Sequence, residues 1–148
     1  MRYLVFLIIS FISLNCGGSQ MVTSNTDWIN KQTIYEVNLR QYTDDGTEAY
    51  DAFILNYGSI INLNTHNKLK FKLYSSSSIQ VLAKLEGGSA IEKWSDFSAV
   101  NTWQEFSYDF SDSIDNENTT LVLFFNAGQN NGNPEDIYHI DELRWEEN

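Results

Sequence analysis

The stretch NKLKFKLYS, residues 67–75, decides the fold class. Leu69, Phe71 and Leu73 fall on one face, while Lys68, Lys70, Lys72 and Tyr74 fall on the other. Strict alternation of this kind marks a β-strand with one face buried. The pattern continues outward. In SIQVLAKLEGG, residues 78–88, Ile79, Val81, Ala83 and Leu85 share a face, and Gly87-Gly88 ends the strand. Ser75 to Ser78 form the turn before it, and AIEKWSDF, residues 90–97, is placed to pair back on it. WQEFSYDF, residues 103–110, puts Phe106, Tyr108 and Phe110 together. TTLVLFFNA, residues 119–127, is apolar on both faces from Leu121 to Phe125, as in a central strand covered on both sides. In IYHIDELRW, residues 137–145, the apolar phase shifts between Ile140 and Leu143, which predicts a bulge near Asp141-Glu142.

Short strands with turn residues between them, and almost no helix signal, predict an all-β antiparallel β-sandwich of the jelly-roll or galactose-binding-like type. Residues 47–55, TEAYDAFIL, admit either a helix start or a strand entry. The long polar segment GQNNGNPED, residues 128–136, reads as an insertion or a binding loop.

At 148 residues the chain has the size of one domain. Its 9 Lys+Arg against 20 Asp+Glu give a formal charge of −11. That argues against nucleic acid or an anionic membrane surface as a partner.

The N-terminus reads differently. MRYLVFLIISFISLNC, residues 1–16, has Arg2 followed by an apolar run that is short for a span of about 20 residues and has the order of a secretory signal. The single cysteine, Cys16, follows it directly, and a lone thiol in an exported chain needs an explanation other than an internal disulfide. SLNCGGS, residues 13–19, resembles a bacterial lipoprotein cleavage site, with Ser13 and Asn15 departing from the usual Leu and small residue. The resemblance implies removal of residues 1–15, lipidation of Cys16, residues 16–27 as a tether, and an exported chain anchored at the outer membrane or cell surface.

Two further resemblances divide the rest. Residues 28–50 resemble the opening of the alpha-amylase family of glycoside hydrolases: a tryptophan, Trp28, before IYEV (34–37), then Arg40, Gln41, Tyr42, Thr43 and the turn glycine Gly46. Such a barrel needs about 250 residues, and no segment here corresponds to the family's catalytic carboxylates. Residues 56–145 resemble the later part of carbohydrate-binding β-sandwiches appended to exported bacterial polysaccharide-degrading enzymes. The segments that carry this are IINL (60–63), NKLKFKLYS, IQVLAKLEGG, WQEFSYDF, LVLFFNAG and IYHIDELRW. Together the resemblances imply an amylase-like strand and turn at 28–50 joined to a sandwich at 51–148, incomplete at its N-terminal side. They imply a remnant of a modular enzyme without catalysis. An open sheet edge would then invite a homodimer, or strand addition from TIYEVNLRQYT, residues 33–43.

Glycan binding needs flat apolar faces with amides and carboxylates around them. The candidates are Tyr74, Trp94, Trp103 and Tyr138, with Asn130, Asn131 and Asn133 in the long loop. Each aromatic also admits a packing role, Trp103 as an edge anchor and Trp145 as a cap of the core. The expected partner is a polysaccharide, a starch-like or other glucan. No cofactor is expected, apart from a structural Ca²⁺ held by Asp136, Asp141 and Glu142, which the resemblance to such sandwiches implies. Glu86, Glu92, Glu105 and Asp109 read as a solvated surface, and His66 and His139 have no catalytic or metal-ligand spacing. A structural or vestigial lipoprotein with no ligand, or a fragment of a glycoside hydrolase, is the alternative function.

Overall fold

The computed structural model describes residues 20–23, 40–44, 49–129 and 136–147. Nine strands are found among them: β1 (Gln20–Thr23), β2 (Arg40–Asp44), β3 (Ala52–Asn56), β4 (Lys68–Tyr74), β5 (Ile79–Glu86), β6 (Ile91–Phe97), β7 (Trp103–Asp109), β8 (Thr120–Phe125) and β9 (Asp136–Glu146). They form a five-stranded sheet ordered β1-β3-β8-β5-β6 and a four-stranded sheet ordered β2-β9-β4-β7. All pairings are antiparallel except β1 with β3. The expected all-β sandwich is the fold. Among the described residues a 3-10 turn, Ser111–Asn116, links β7 to β8. No helix among the described residues is long and apolar enough to cross a membrane.

The alternation read from the sequence sets the two inner faces. Leu69, Phe71 and Leu73 of β4 are fully buried, as are Val81, Ala83 and Leu85 of β5. Burying each large side chain contributes about 1.5–3 kcal/mol. Contacts between core side chains tie the sheets together. Phe97 of β6 stacks near Phe106 of β7, with centroids 6.4 Å apart. The buried Tyr108 hydroxyl of β7 donates to the carbonyl of Val81 in β5 at 3.2 Å. Phe125 of β8 stacks on Tyr138 of β9 at 5.1 Å. At one end, Trp145 Nε1 donates to Tyr57 Oη at 2.9 Å, so the expected cap is a buried, hydrogen-bonded one.

The bulge lies where the phase shift predicted it. β4 advances from Lys70 to Lys72 while β9 passes from Arg144 to Asp141, and Glu142 takes a φ of 50°. Residues 47–55, left open between helix and strand, end in β3. Residues 20–23, within the span read as a tether, pair with β3, and residues 40–44, within the amylase-like segment, pair with β9. Both are strands of the sandwich. Residues 28–39 lie outside the described residues.

Among the described residues strand β6 is an edge, and an edge strand with an apolar inner face invites pairing with another chain. Here its inward position 93 is a lysine. Lys93 Nζ lies 5.5 Å from the Phe110 ring centroid and donates to Asp112 Oδ2 at 2.8 Å. An inward charge of this kind guards an edge.

Candidate functional site

On the outer face of the five-stranded sheet the register aligns a row of side chains. Trp94 of β6 lies opposite Leu82 of β5, Leu82 opposite Phe124 of β8, and Phe124 opposite Ala52 of β3. Trp94 is 48% exposed, whereas Leu82, flanked by the two rings, is buried. Tyr50, 67% exposed, meets Phe124 edge to face at 6.4 Å. Tyr50 is positioned by the loop after β8, because the Gly128 amide donates to the Ala49 carbonyl at 2.7 Å. Gly128 has φ +79°, and a Cβ there would stand 3.7 Å from Tyr50 Oη. The result is a groove of about 310 Å³ floored by Leu82 and Phe124, with Tyr50, Lys84, Glu92 and Trp94 as walls.

The rim is polar. Lys84 Nζ lies 2.8 Å from Glu86 and 3.6 Å from Glu92. The Glu86 hydrogen bond holds the ammonium above its ordinary pKa. Two carboxylates share one cation, so this side is net acidic. On the other side Gln80 Nε2 approaches Asp96 Oδ1 at 3.5 Å. Flat rings with an amide and carboxylates beside them can take a ligand that has an apolar face and hydroxyls at its edge.

Carboxylates in the groove and elsewhere on the surface are tied to neighbouring groups. Glu86 and Glu92 are engaged by Lys84. Asp109, Asp112 and Glu146 are held below the usual carboxylate range, first by hydrogen bonds from Ser111, Lys93 and Lys70 respectively. A general acid needs the opposite shift.

Tyr74 and Trp103 open elsewhere. They pair across β4 and β7 on the outer face of the four-stranded sheet, with ring centroids 5.8 Å apart. Tyr74 also meets His139 of β9 at 5.8 Å, so three rings form a row. Trp103 is 43% exposed and Tyr74 is half-buried. Beside the row runs a ladder of charges, with Lys72 opposite Glu105 and Asp141, and Lys70 bonded to Glu146 at 2.8 Å.

One expectation needs correction. Tyr138 is not an exposed platform. It is 2% exposed and its ring is covered by Phe125, because it shares strand parity with the core residue Ile140. Asp141 and Glu142, two of the expected calcium ligands, lie at the bulge of β9. Glu142 is hydrogen-bonded to Lys72, and the Arg144 guanidinium stands 3.8 Å from it. Among the described residues no group of three or more His, Cys, Asp and Glu is arranged to hold a metal ion. The backbone of Asp136 pairs with Asp44. Cys16, Asn130, Asn131 and Asn133 lie outside the described residues. Tyr50 and Phe124 were missed from the sequence, although Phe124 carries a signal: an aromatic at outward parity in a strand whose inner face is already apolar.

No protein-family model and no curated protein matches the sequence. Solved structures do resemble the fold. A structure from a study of the promiscuous specificity of carbohydrate-binding modules of the β-sandwich superfamily aligns with TM-score 0.46 and 12% identity, over 76% of this chain. The chain spans 56% of that structure's length. The family 11 carbohydrate-binding module of a cellulosomal cellulase of Clostridium thermocellum aligns with TM-score 0.45 and 10% identity, over 78% of this chain and 94% of its own. A family 11 module from the same organism, in complex with a β-1,3-1,4-mixed-linked tetrasaccharide, gives TM-score 0.43 and 12% identity, covering 77% and 87%. These are likenesses of β-sandwich architecture.

Proposed function

We propose that this chain is a non-catalytic glycan-binding β-sandwich that holds a polysaccharide, a starch-like or other glucan, in the groove of its five-stranded sheet. The observation that carries the reading is the pair of exposed rings, Trp94 and Tyr50, on a groove floored by Leu82 and Phe124. A pyranose presents a C–H face to such rings and hydroxyls to Glu92, Lys84 and Asp96. The net charge of −11 and the acidic rim disfavour polyanionic glycans and leave neutral ones. The test is affinity electrophoresis of the purified chain in gels containing starch, laminarin, mixed-linkage β-glucan or xylan. Retardation in at least one neutral polymer, relieved by Trp94→Ala, supports the reading. Migration unaffected by all four defeats it.

The reading extends to the cell surface. The apolar run before Cys16 supports export, and the cysteine supports attachment by acyl chains, which bind membranes by about 0.8 kcal/mol per buried CH₂. Incorporation of labelled fatty acid that Cys16→Ser leaves intact would contradict the anchor. The match at residues 28–50 supports descent from an amylase-like modular enzyme. Neighbouring genomic DNA with no amylase-like gene or module would count against that descent.

A further inference from the structure

The exposed aromatic residues form two platforms, facing away from each other. Trp94 belongs to the five-stranded sheet, whereas Trp103, Tyr74 and His139 form a row across β7, β4 and β9 of the four-stranded sheet. We infer that this second row is a separate glycan-binding strip, so that one chain holds two polysaccharide strands, one on each outer face.

The composition around the row specifies the ligand. Toward the middle of the sheet, the adjacent rung is ionic: Lys72 stands between Glu105 and Asp141 in the register. Lys72 is held above its ordinary pKa, first by its hydrogen bond to Glu142, so the rung carries both donors and acceptors. On the opposite side the row ends at two turns whose exposed residues include Ser76, Asn101 and Thr102, with Val100 exposed beside them. The turns are tied together, since the Asn101 amide donates to the Ser75 carbonyl at 2.9 Å. Flat rings lie between hydroxyl- and amide-bearing turns and an ionic rung. The groove shares two of these elements, exposed rings and a carboxylate–lysine border.

The row itself is small for a protein partner. Three rings in one rung span two strand spacings, roughly 10 Å, and the same-face repeat along a strand is roughly 7 Å. The apolar patch is therefore on the order of 100 Å², against about 800 Å² per partner in a stable protein interface. One or two sugar rings match it. This inference uses the stacking chemistry proposed for the groove but none of its residues, so the two readings fail separately.

Calorimetric titration of the full chain with maltohexaose, laminarihexaose, cellohexaose and xylohexaose tests it, alongside turbidity with the parent polymers. The expectation is two equivalents of one hexasaccharide for the wild type, one for Trp94→Ala, one for Trp103→Ala and none for the double variant. Trp103→Leu, which keeps apolar bulk but lacks a flat face, should match Trp103→Ala, and thermal melting shows that each variant is folded. The polymer should cross-link, with turbidity, only in the wild type, and each single variant should bind it at least tenfold more weakly because the second contact is lost. A wild type with one equivalent, unchanged by Trp103→Ala and lost in Trp94→Ala, overturns the strip and leaves the groove standing. Binding lost in Trp103→Ala and intact in Trp94→Ala supports the strip and overturns the groove. No heat with any hexasaccharide overturns both.

Discussion

Trp94 and Trp103 are both close to half exposed, yet they open from opposite sheets: Trp94 pairs with Leu82 on β5, and Trp103 with Tyr74 on β4. Any account that treats the exposed aromatics as one surface is therefore wrong about this molecule. Each tryptophan has its own neighbours and its own polar border.

For the groove, Tyr50→Ala should weaken glucan binding by about tenfold, roughly 1.4 kcal/mol, while leaving thermal melting nearly unchanged. Tyr50 is 67% exposed, and exposed substitutions ordinarily alter stability by less than about 0.5 kcal/mol. Titration of the variant with its glucan, together with a melting curve, checks both halves. A large loss of melting temperature would mean that Tyr50 is a structural residue.

Gly88 tests the turn that launches β6 and so places Trp94. A Cβ at Gly88 would stand 1.9 Å from the Asn116 carbonyl oxygen, backbone that cannot swing aside. Gly88→Ala should cost about 2 kcal/mol or more, lowering the melting temperature by several degrees. Equal melting temperatures would show that β6 does not start against the 111–118 segment as described.

Alkaline pH should destabilise the fold through Tyr108. Burial pushes this phenol up to about 12, from an ordinary value near 10, against a smaller opposing hydrogen bond with Ser95. Between those values the unfolded chain has lost the proton and the folded chain keeps it. Stability therefore falls as pH rises from about 10 to about 12, by on the order of 2 kcal/mol. Denaturant titrations across that window, compared with Tyr108→Phe, isolate the effect from the lysines that titrate nearby. An identical slope in Tyr108→Phe would rule out this phenol as its source.

At the acid end, the Lys93 hydrogen bond holds the Asp112 carboxyl below its usual range. Depressed carboxylates stabilise the fold above their unfolded pKa, near 3.8, and that contribution is lost as pH falls through the folded value. Lys93→Met should move the Asp112 titration upward when followed by NMR, and should weaken the response of stability to acid. An unmoved Asp112 titration would mean that the pair is not formed in solution.

Much of the architecture was legible because period two is a strong signal. Leu69, Phe71 and Leu73 point inward as the alternation requires, and the break between Ile140 and Leu143 marks the bulge where Glu142 takes a positive φ. Which sheet each strand joins was not legible. Alternation fixes the face of a side chain relative to its own strand, whereas β4, β5, β6 and β7 distribute between two layers by long-range pairing. That is why Tyr74 and Trp94, both candidates in the sequence, stand on different sheets. Tyr138 could have been placed correctly: it is two residues from Ile140, on the same face, so the core claims both. Tyr50 was hidden because it precedes a strand, in a turn whose position depends on a hydrogen bond from Gly128, far away in sequence.

The central claim is that the outer face of the five-stranded sheet is a glycan site built on Trp94. The most direct measurement is affinity electrophoresis of wild type and Trp94→Ala in starch, laminarin, mixed-linkage β-glucan and xylan gels. The account predicts that at least one neutral polymer retards the wild type and that Trp94→Ala migrates markedly faster in that gel. Equal retardation of the two proteins, or free migration of the wild type through all four polymers, would contradict it.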